Sequence, residues 1–167
     1  LGAKFVHGID VEERTINRCM ELFLKEEINP SSYRFQAENI TNFLERVEEK
    51  SFNTVFCFGV LYYISEPLRL LKLMARAAKE TILIDTFTAS YSAVQGKDAT
   101  EIYPHLTSQI LNLPLMISCP TQSKKKDYNL PEAFNRKGRS LSLISLPTKA
   151  MLELWFESLG LTWEQLD

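Results

Sequence analysis

The chain is poor in the residues that build metal and redox centres. It has two histidines, His7 and His105, and three cysteines, Cys19, Cys57 and Cys119, with no C-x-x-C spacing. That leaves little material for a transition-metal site, which clusters N and S ligands at short range. An odd, widely spaced cysteine set, two of its members inside apolar patterns, speaks for buried thiols in a reducing compartment rather than for disulfides. Glycine is scarce too, six residues in 167, and no glycine-rich loop is present. No apolar run approaches transmembrane length and no signal peptide is read, so a cytoplasmic protein with no membrane partner is the expectation. The net charge is only −2, which excludes a global field directed at nucleic acid or lipid.

What is present is a globular composition. With 45% hydrophobic residues, the chain can bury one sizeable core and is read as one domain. Its organising stretch is Ser51 to Pro67, SFNTVFCFGVLYYISEP. Thr54 to Phe58 reads as a buried strand, a β-branched and aromatic run that Gly59 stops. Val60 to Ile64 then forms an apolar, tyrosine-bearing shelf, and Pro67 suits the first turn of a following helix.

The rest of the chain supplies the same alternation. Ala3 to Ile9 reads as a strand that delivers Asp10 at its carboxyl end. Glu12 to Ile28 reads as a helix with the stripe Ile16, Cys19, Met20, Phe23 and Leu24, ended by Asn29-Pro30. Tyr33 to Gln36 is a second strand, and Ala37 to Ile40 its exit loop. Thr41 to Val47 is a short helix with Thr41 as N-cap and Phe43, Leu44 and Val47 inward. Pro67 to Lys79 is a helix burying Leu68, Leu71, Met74, Ala75 and Ala78, and Thr81 to Phe87 is another buried strand with Asp85 near its end. This rhythm means βαβ units, a parallel sheet and an α/β fold.

Residues 90–140 break the rhythm. They hold four prolines and two basic runs, Lys124-Lys125-Lys126 and Arg136-Lys137-Gly138-Arg139, with seven Lys/Arg against four Asp/Glu from Tyr91 to Ser140. The segment reads as an irregular basic insertion: a solvated loop, or else a lid or anionic-substrate surface. Leu141 to Leu146 could be a short extended segment. Thr148 caps a last helix with the stripe Met151, Leu152, Trp155, Phe156 and Leu159, Gly160 ends it in the left-handed region, and Leu161 to Leu166 begins one more strand.

In open α/β sheets, ligands bind outside the carboxyl ends of the strands. An acidic side chain there can accept two hydrogen bonds from the vicinal hydroxyls of a ribose, so Asp10 is either a ribose ligand or a plain helix cap. Glu38 and Asn39, ending the next strand, can meet an adenine edge or merely make a turn. Gly59 allows close approach of backbone to ligand. Tyr62 and Tyr63 can face a substrate or serve as core aromatics with wet hydroxyls.

The order GID, AENI, FNTVFCFGVLYYISEPLRLL, ETILIDT and LPTKAMLELWFESLGL resembles a class I S-adenosylmethionine-dependent methyltransferase. The stretch FGVLYY followed by Pro67-Leu68, with Pro147-Thr148, Trp155 and Gly160-Leu161 late in the chain, is similar to the branch containing the tRNA wobble-uridine carboxymethyltransferase. The likeness covers most of residues 2–90 and 141–161 and leaves the basic insertion unmatched. It implies a Rossmann-like, mostly parallel sheet with helices on both faces. It further implies S-adenosyl-L-methionine as cofactor, with Asp10 on the ribose, Glu38 and Asn39 at the adenine, and Phe58 and Gly59 beside the methionine part. Tyr62 and Tyr63 then lie towards the substrate as catalytic candidates, although many relatives have histidine where this chain has Tyr63. The family's first strand and glycine-rich loop are expected before Leu1 and its last strand after Asp167, so the chain reads as the internal part of a longer enzyme.

The resemblance implies methyl transfer to an unidentified small molecule or a tRNA base, with the small molecule slightly favoured by the negative net charge. A nicotinamide-dependent dehydrogenase would also use Asp10 but gains nothing from GVLYY. A non-catalytic α/β binding module, holding RNA through the basic insertion, is the second rival.

Overall fold

The computed structural model describes residues 2–89, 91–92, 97–98, 107–122, 134–136 and 139–166. They form two compact units, Leu1–Ser51 and Phe52–Asp167.

The first unit is one βαβ repeat with a short helix after it. Strand β1 (Val6–Asp10) and strand β2 (Tyr33–Ala37) pair in parallel, Val6 opposite Tyr33 and Asp10 opposite Ala37, and helix α1 (Glu13–Lys25) makes the crossover. Of the expected α1 stripe, Ile16 is buried and Cys19 and Phe23 are half-buried, with the Phe23 ring edge-on to Tyr33 and Phe35. Met20 and Leu24 lie exposed, because a sheet of two strands about 5 Å apart is too narrow to cover the full stripe. The helix ends three residues earlier than expected. Glu27 turns left-handed at φ +54°, Ile28 N–H donates to Phe23 O and Glu27 N–H to Leu24 O, which closes the last turn before Asn29-Pro30 is reached. Helix α2 (Ile40–Arg46) is capped by Asn39 rather than Thr41: the Asn39 side-chain oxygen accepts from the N–H groups of Thr41 and Asn42. Leu44 is its buried residue.

The second unit opens with another βαβ repeat. Strand β3 (Phe52–Phe58) and strand β4 (Ala78–Asp85) pair in parallel from Thr54 opposite Thr81 to Phe58 opposite Asp85, with helix α3 (Pro67–Ala77) between them. Pro67 takes the first turn of α3, and the buried face is Pro67, Leu70, Leu71, Met74 and Ala77. Leu68 and Ala75, expected inward, are half-buried, and the chain turns straight into β4 at Ala78. Strand β3 is not buried on both sides as expected. Alternation buries Cys57 on one face and sends Phe56 and Phe58, paired edge-on, to an exposed one.

The region read as an irregular insertion contains ordered sheet. Strands β5 (Tyr91–Ser92) and β6 (Lys97–Asp98) pair antiparallel, and a short helix α4 (Ser108–Leu111) follows. Strand β7 (Met116–Gln122) and strand β8 (Phe134–Arg136) then flank strand β9 (Arg139–Pro147) in an antiparallel sheet of order β7-β9-β8. Pro120 lies in β7, an outer strand of this sheet, which is where sheets tolerate proline. The basic run Lys124–Lys126 and His105 lie outside the described residues, as do Lys137 and Gly138 of the second run.

Helix α5 (Lys149–Ser158) is capped by Thr148 and ends at Gly160, φ +65°. The stretch Leu161–Leu166 is not the expected strand. Gly160 reverses the chain, Leu161 N–H donates to Phe156 O, and the tail folds back along α5, where Lys149 Nζ reaches Gln165 Oε1 at 2.9 Å and lies 5.6 Å from the Trp163 ring centre. The fold is thus α/β, two parallel Rossmann-like repeats with an antiparallel sheet added to the second.

Candidate functional site

The first group of candidate residues meets where β1 and β2 end. Glu38 N–H donates to Asp10 O at 2.8 Å, extending the ladder by one bond beyond the Asp10–Ala37 pair. Asp10 Oδ1 accepts from Glu12 N–H at 2.7 Å, the Asx turn that starts α1. Asp10 is thus not the helix cap itself: the N-cap of α1 is Glu12, which makes no side-chain cap bond. One oxygen sets the helix entry, and the other takes no hydrogen bond among the described residues. Glu38 accepts from Gln36 Nε2 at 2.6 Å and pairs with Arg46 at 2.5 Å. Asn39 has its side-chain oxygen committed to the α2 cap.

The second group lies beyond the carboxyl ends of β3 and β4. Gly59 adopts φ +67°, a conformation that an L side chain reaches only with strain, and its N–H donates to Asp85 O at 2.9 Å. A Cβ there would stand 3.6 Å from the Tyr62 hydroxyl. Leu61–Tyr63 form one 3₁₀ turn, which buries Leu61 and Tyr62 and leaves Tyr63 43% exposed. The tyrosine rings lie 4.4 Å apart between centres, and Phe87 packs 4.8 Å from Tyr62 on the other side. Phe58 projects into solvent beside Phe56.

The electrostatics separate the two tyrosines. Burial, then the neighbouring Tyr63, its hydrogen bond and Asp85, push the Tyr62 phenol up to about 12. Burial likewise pushes the Cys57 thiol up to about 11, which keeps it protonated and unreactive at neutral pH. Among the described residues no cluster of His, Cys, Asp and Glu could hold a metal ion.

A family model described as a methyltransferase domain matches residues 2–135. The chain belongs to the methyltransferase domain family. Over 141 residues it is 30% identical to the tRNA U34 carboxymethyltransferase of Campylobacter hominis, a match covering 78% of this chain and 45% of that protein. The chain therefore spans less than half the length of this relative. A solved structure, the YcgJ protein of Bacillus subtilis, is similar over 85% of this chain and 80% of its own at 11% identity and a TM-score of 0.44. Among the described residues no helix is long and apolar enough to cross a membrane.

Within this methyltransferase domain the structure adds residues that motif reading did not single out. Tyr62 belongs to a buried cluster with Ala89, Ile144 and Leu146, against which Phe87, Leu111 and Ile117 pack. The antiparallel sheet thus backs the tyrosine shelf. The apolar alternation of Leu141 to Leu146 was the signal available, and it did not say what the strand would cover. Beside Asp85, the Thr86 hydroxyl is buried without a partner among the described residues, an unmet polar atom at the strand end.

Proposed function

We propose that the chain carries cofactor and acceptor contacts of an S-adenosylmethionine-dependent methyltransferase, with a tRNA uridine as the acceptor. The observation that carries the reading is the gathering of Asp10, Glu38 and Asn39 where two parallel strands end, inside a chain of the methyltransferase domain family. The donor and acceptor chemistry of the first unit fits the group: a carboxylate oxygen for a ribose diol and a second carboxylate for an amino-bearing base. The relative's name supports the uridine, and a small-molecule acceptor is the competing outcome.

When bound, S-adenosylmethionine supplies an electrophilic methyl carbon on a sulfonium, which the acceptor attacks in line. The protein's part is mostly positioning, which can contribute roughly 7–11 kcal/mol when reacting atoms are held in near-attack geometry. Asp10 and Glu38 orient the nucleoside, with Asn39 beside them. Tyr62 keeps its proton at neutral pH and so does not serve as the base. Tyr63, exposed beside it, is the one of the two that an acceptor substrate can reach.

Calorimetric titration of S-adenosylhomocysteine into the chain, with NAD⁺ as the control ligand, tests the cofactor. Micromolar binding is expected, weakened at least about tenfold by D10N, which keeps the Asx-turn oxygen but loses the charge. Equal binding of wild type and D10N would leave Asp10 with only its helix-entry role. A folded chain that binds neither ligand would point to the non-catalytic module. Labelled methyl donor offered with total tRNA or with a cell metabolite extract then separates the two acceptors.

A further inference from the structure

Glu38 is held from both sides before any ligand arrives. Gln36 Nε2 donates to Oε2 and Arg46 Nη2 to Oε1. Gln36 is in turn hydrogen-bonded to the His7 side chain. His7 stands opposite Arg34 in the parallel register and Ile9 opposite Gln36. A chain of four polar side chains, His7, Gln36, Glu38 and Arg46, therefore runs to the carboxyl end of β2. The Glu38 side chain is 17% exposed and that of Arg46 62% exposed, so the carboxylate is sheltered while its outer partner is open to substitution.

We propose that Gln36 and Arg46 are positioning residues that aim Glu38, so that the discrimination this strand end makes between a 6-amino and a 6-oxo purine depends on them. The inference rests on the reading of Glu38 as a nucleoside contact. A carboxylate is an acceptor only, with about four lone-pair sites. Gln36 and Arg46 use one on each oxygen, and the remainder can meet an exocyclic amine. A 6-oxo purine presents a lone pair to the same place and leaves buried polar groups unpaired, which is how a site built for a hydrogen bond rejects an isostere. Without Arg46, Oε1 loses its anchor, the carboxylate turns about its last bond, and the discrimination falls even though the group remains.

The test compares dissociation constants of S-adenosylhomocysteine and S-inosylhomocysteine, by calorimetry, for wild type, R46A, R46K and Q36M. Wild type should favour the adenosyl ligand by about tenfold or more, the range of a hydrogen bond to a charged group. R46A should cut that ratio by about threefold or more while melting within about 3 °C of wild type, since an exposed ion pair contributes little to stability. R46K, which restores a cation, should recover part of the ratio. A ratio unchanged in both R46A and Q36M overturns the positioning role and leaves the nucleoside reading intact. Equal wild-type affinity for the two ligands overturns the selectivity. A folded wild-type chain that binds neither overturns both the inference and the reading beneath it.

Discussion

The Phe35 ring occupies the space that a side chain at Gly8 would need: its Cε1 lies 2.7 Å from where a Cβ would be, and Cδ1 closer still. The ring cannot simply move aside, because Phe23 and Tyr33 pack on it with centres 4.8 and 5.3 Å away. Gly8 is therefore fixed by a neighbour across the ladder, not by its own backbone angle. G8A should destabilise the first unit by about 1–3 kcal/mol, the usual cost of overpacking. Urea unfolding of G8A beside wild type measures it, and G8A combined with F35L should regain part of the loss.

Glu27 is exposed and sits at φ +54°, in the left-handed position that ends α1. Glycine takes that conformation without the Cβ penalty of about 1–2 kcal/mol, but it also loosens the unfolded chain. E27G should accordingly be neutral to about 1 kcal/mol stabilising, an uncommon sign for a glycine introduced at random. A rise in the thermal midpoint checks it.

Thr148 is 1% exposed and its hydroxyl serves three backbone groups: it donates to Leu113 O at 2.6 Å and accepts from the N–H groups of Leu115 and Met151, each at 3.1 Å. The same atom caps α5 and pins the turn leading into β7. T148V keeps the shape and removes those bonds, so a loss of about 2–4 kcal/mol is expected, a cap plus buried groups left unpaired. T148S should retain most of the stability. Denaturant midpoints of the two variants decide the point.

His7 gives the fold a pH dependence of known sign. Burial, reinforced by the Arg34 guanidinium, holds its imidazole below the ordinary 6.5, with Gln36 and Glu38 opposing. The unfolded chain thus binds a proton that the folded chain resists. The associated stability is present in full above about pH 6.5 and is lost as the pH falls from there towards the lower folded value. Chemical denaturation of wild type at pH 7.5 and 5.5 should show the drop, and H7Q should show a smaller one over the same interval.

Local rules made much of the fold legible. Both βαβ repeats follow from apolar runs and helical stripes, and the helix-ending Gly160 and the Thr148 cap follow from backbone and capping chemistry. What the sequence concealed depends on distant partners. Strand β7 carries Pro120 and pairs with residues about 20 to 30 positions later, so nothing local marks it as a strand or Tyr62 as its sheet's companion. The Asn39 cap was missed because Thr41, two residues on, is an equally good cap by type. In the candidate site the acidic strand ends were visible from their positions. The bonds from Gln36 and Arg46 to Glu38 were not, since they need the β2 exit and the last turn of α2 to be placed in space.

The division of labour between Glu38 and Asn39 has a consequence for how this domain can diverge. Position 39 answers to a helix, and any short side chain with an acceptor oxygen satisfies it, so Asp, Ser and Thr are interchangeable there over evolutionary time. Position 38 answers to its partners in the network, and drift there must be matched at 36 and 46. A library randomised at 36, 38, 39 and 46 and sorted for folded, nucleoside-binding clones would return 39 as a free choice within one chemical class and the other three as a linked set.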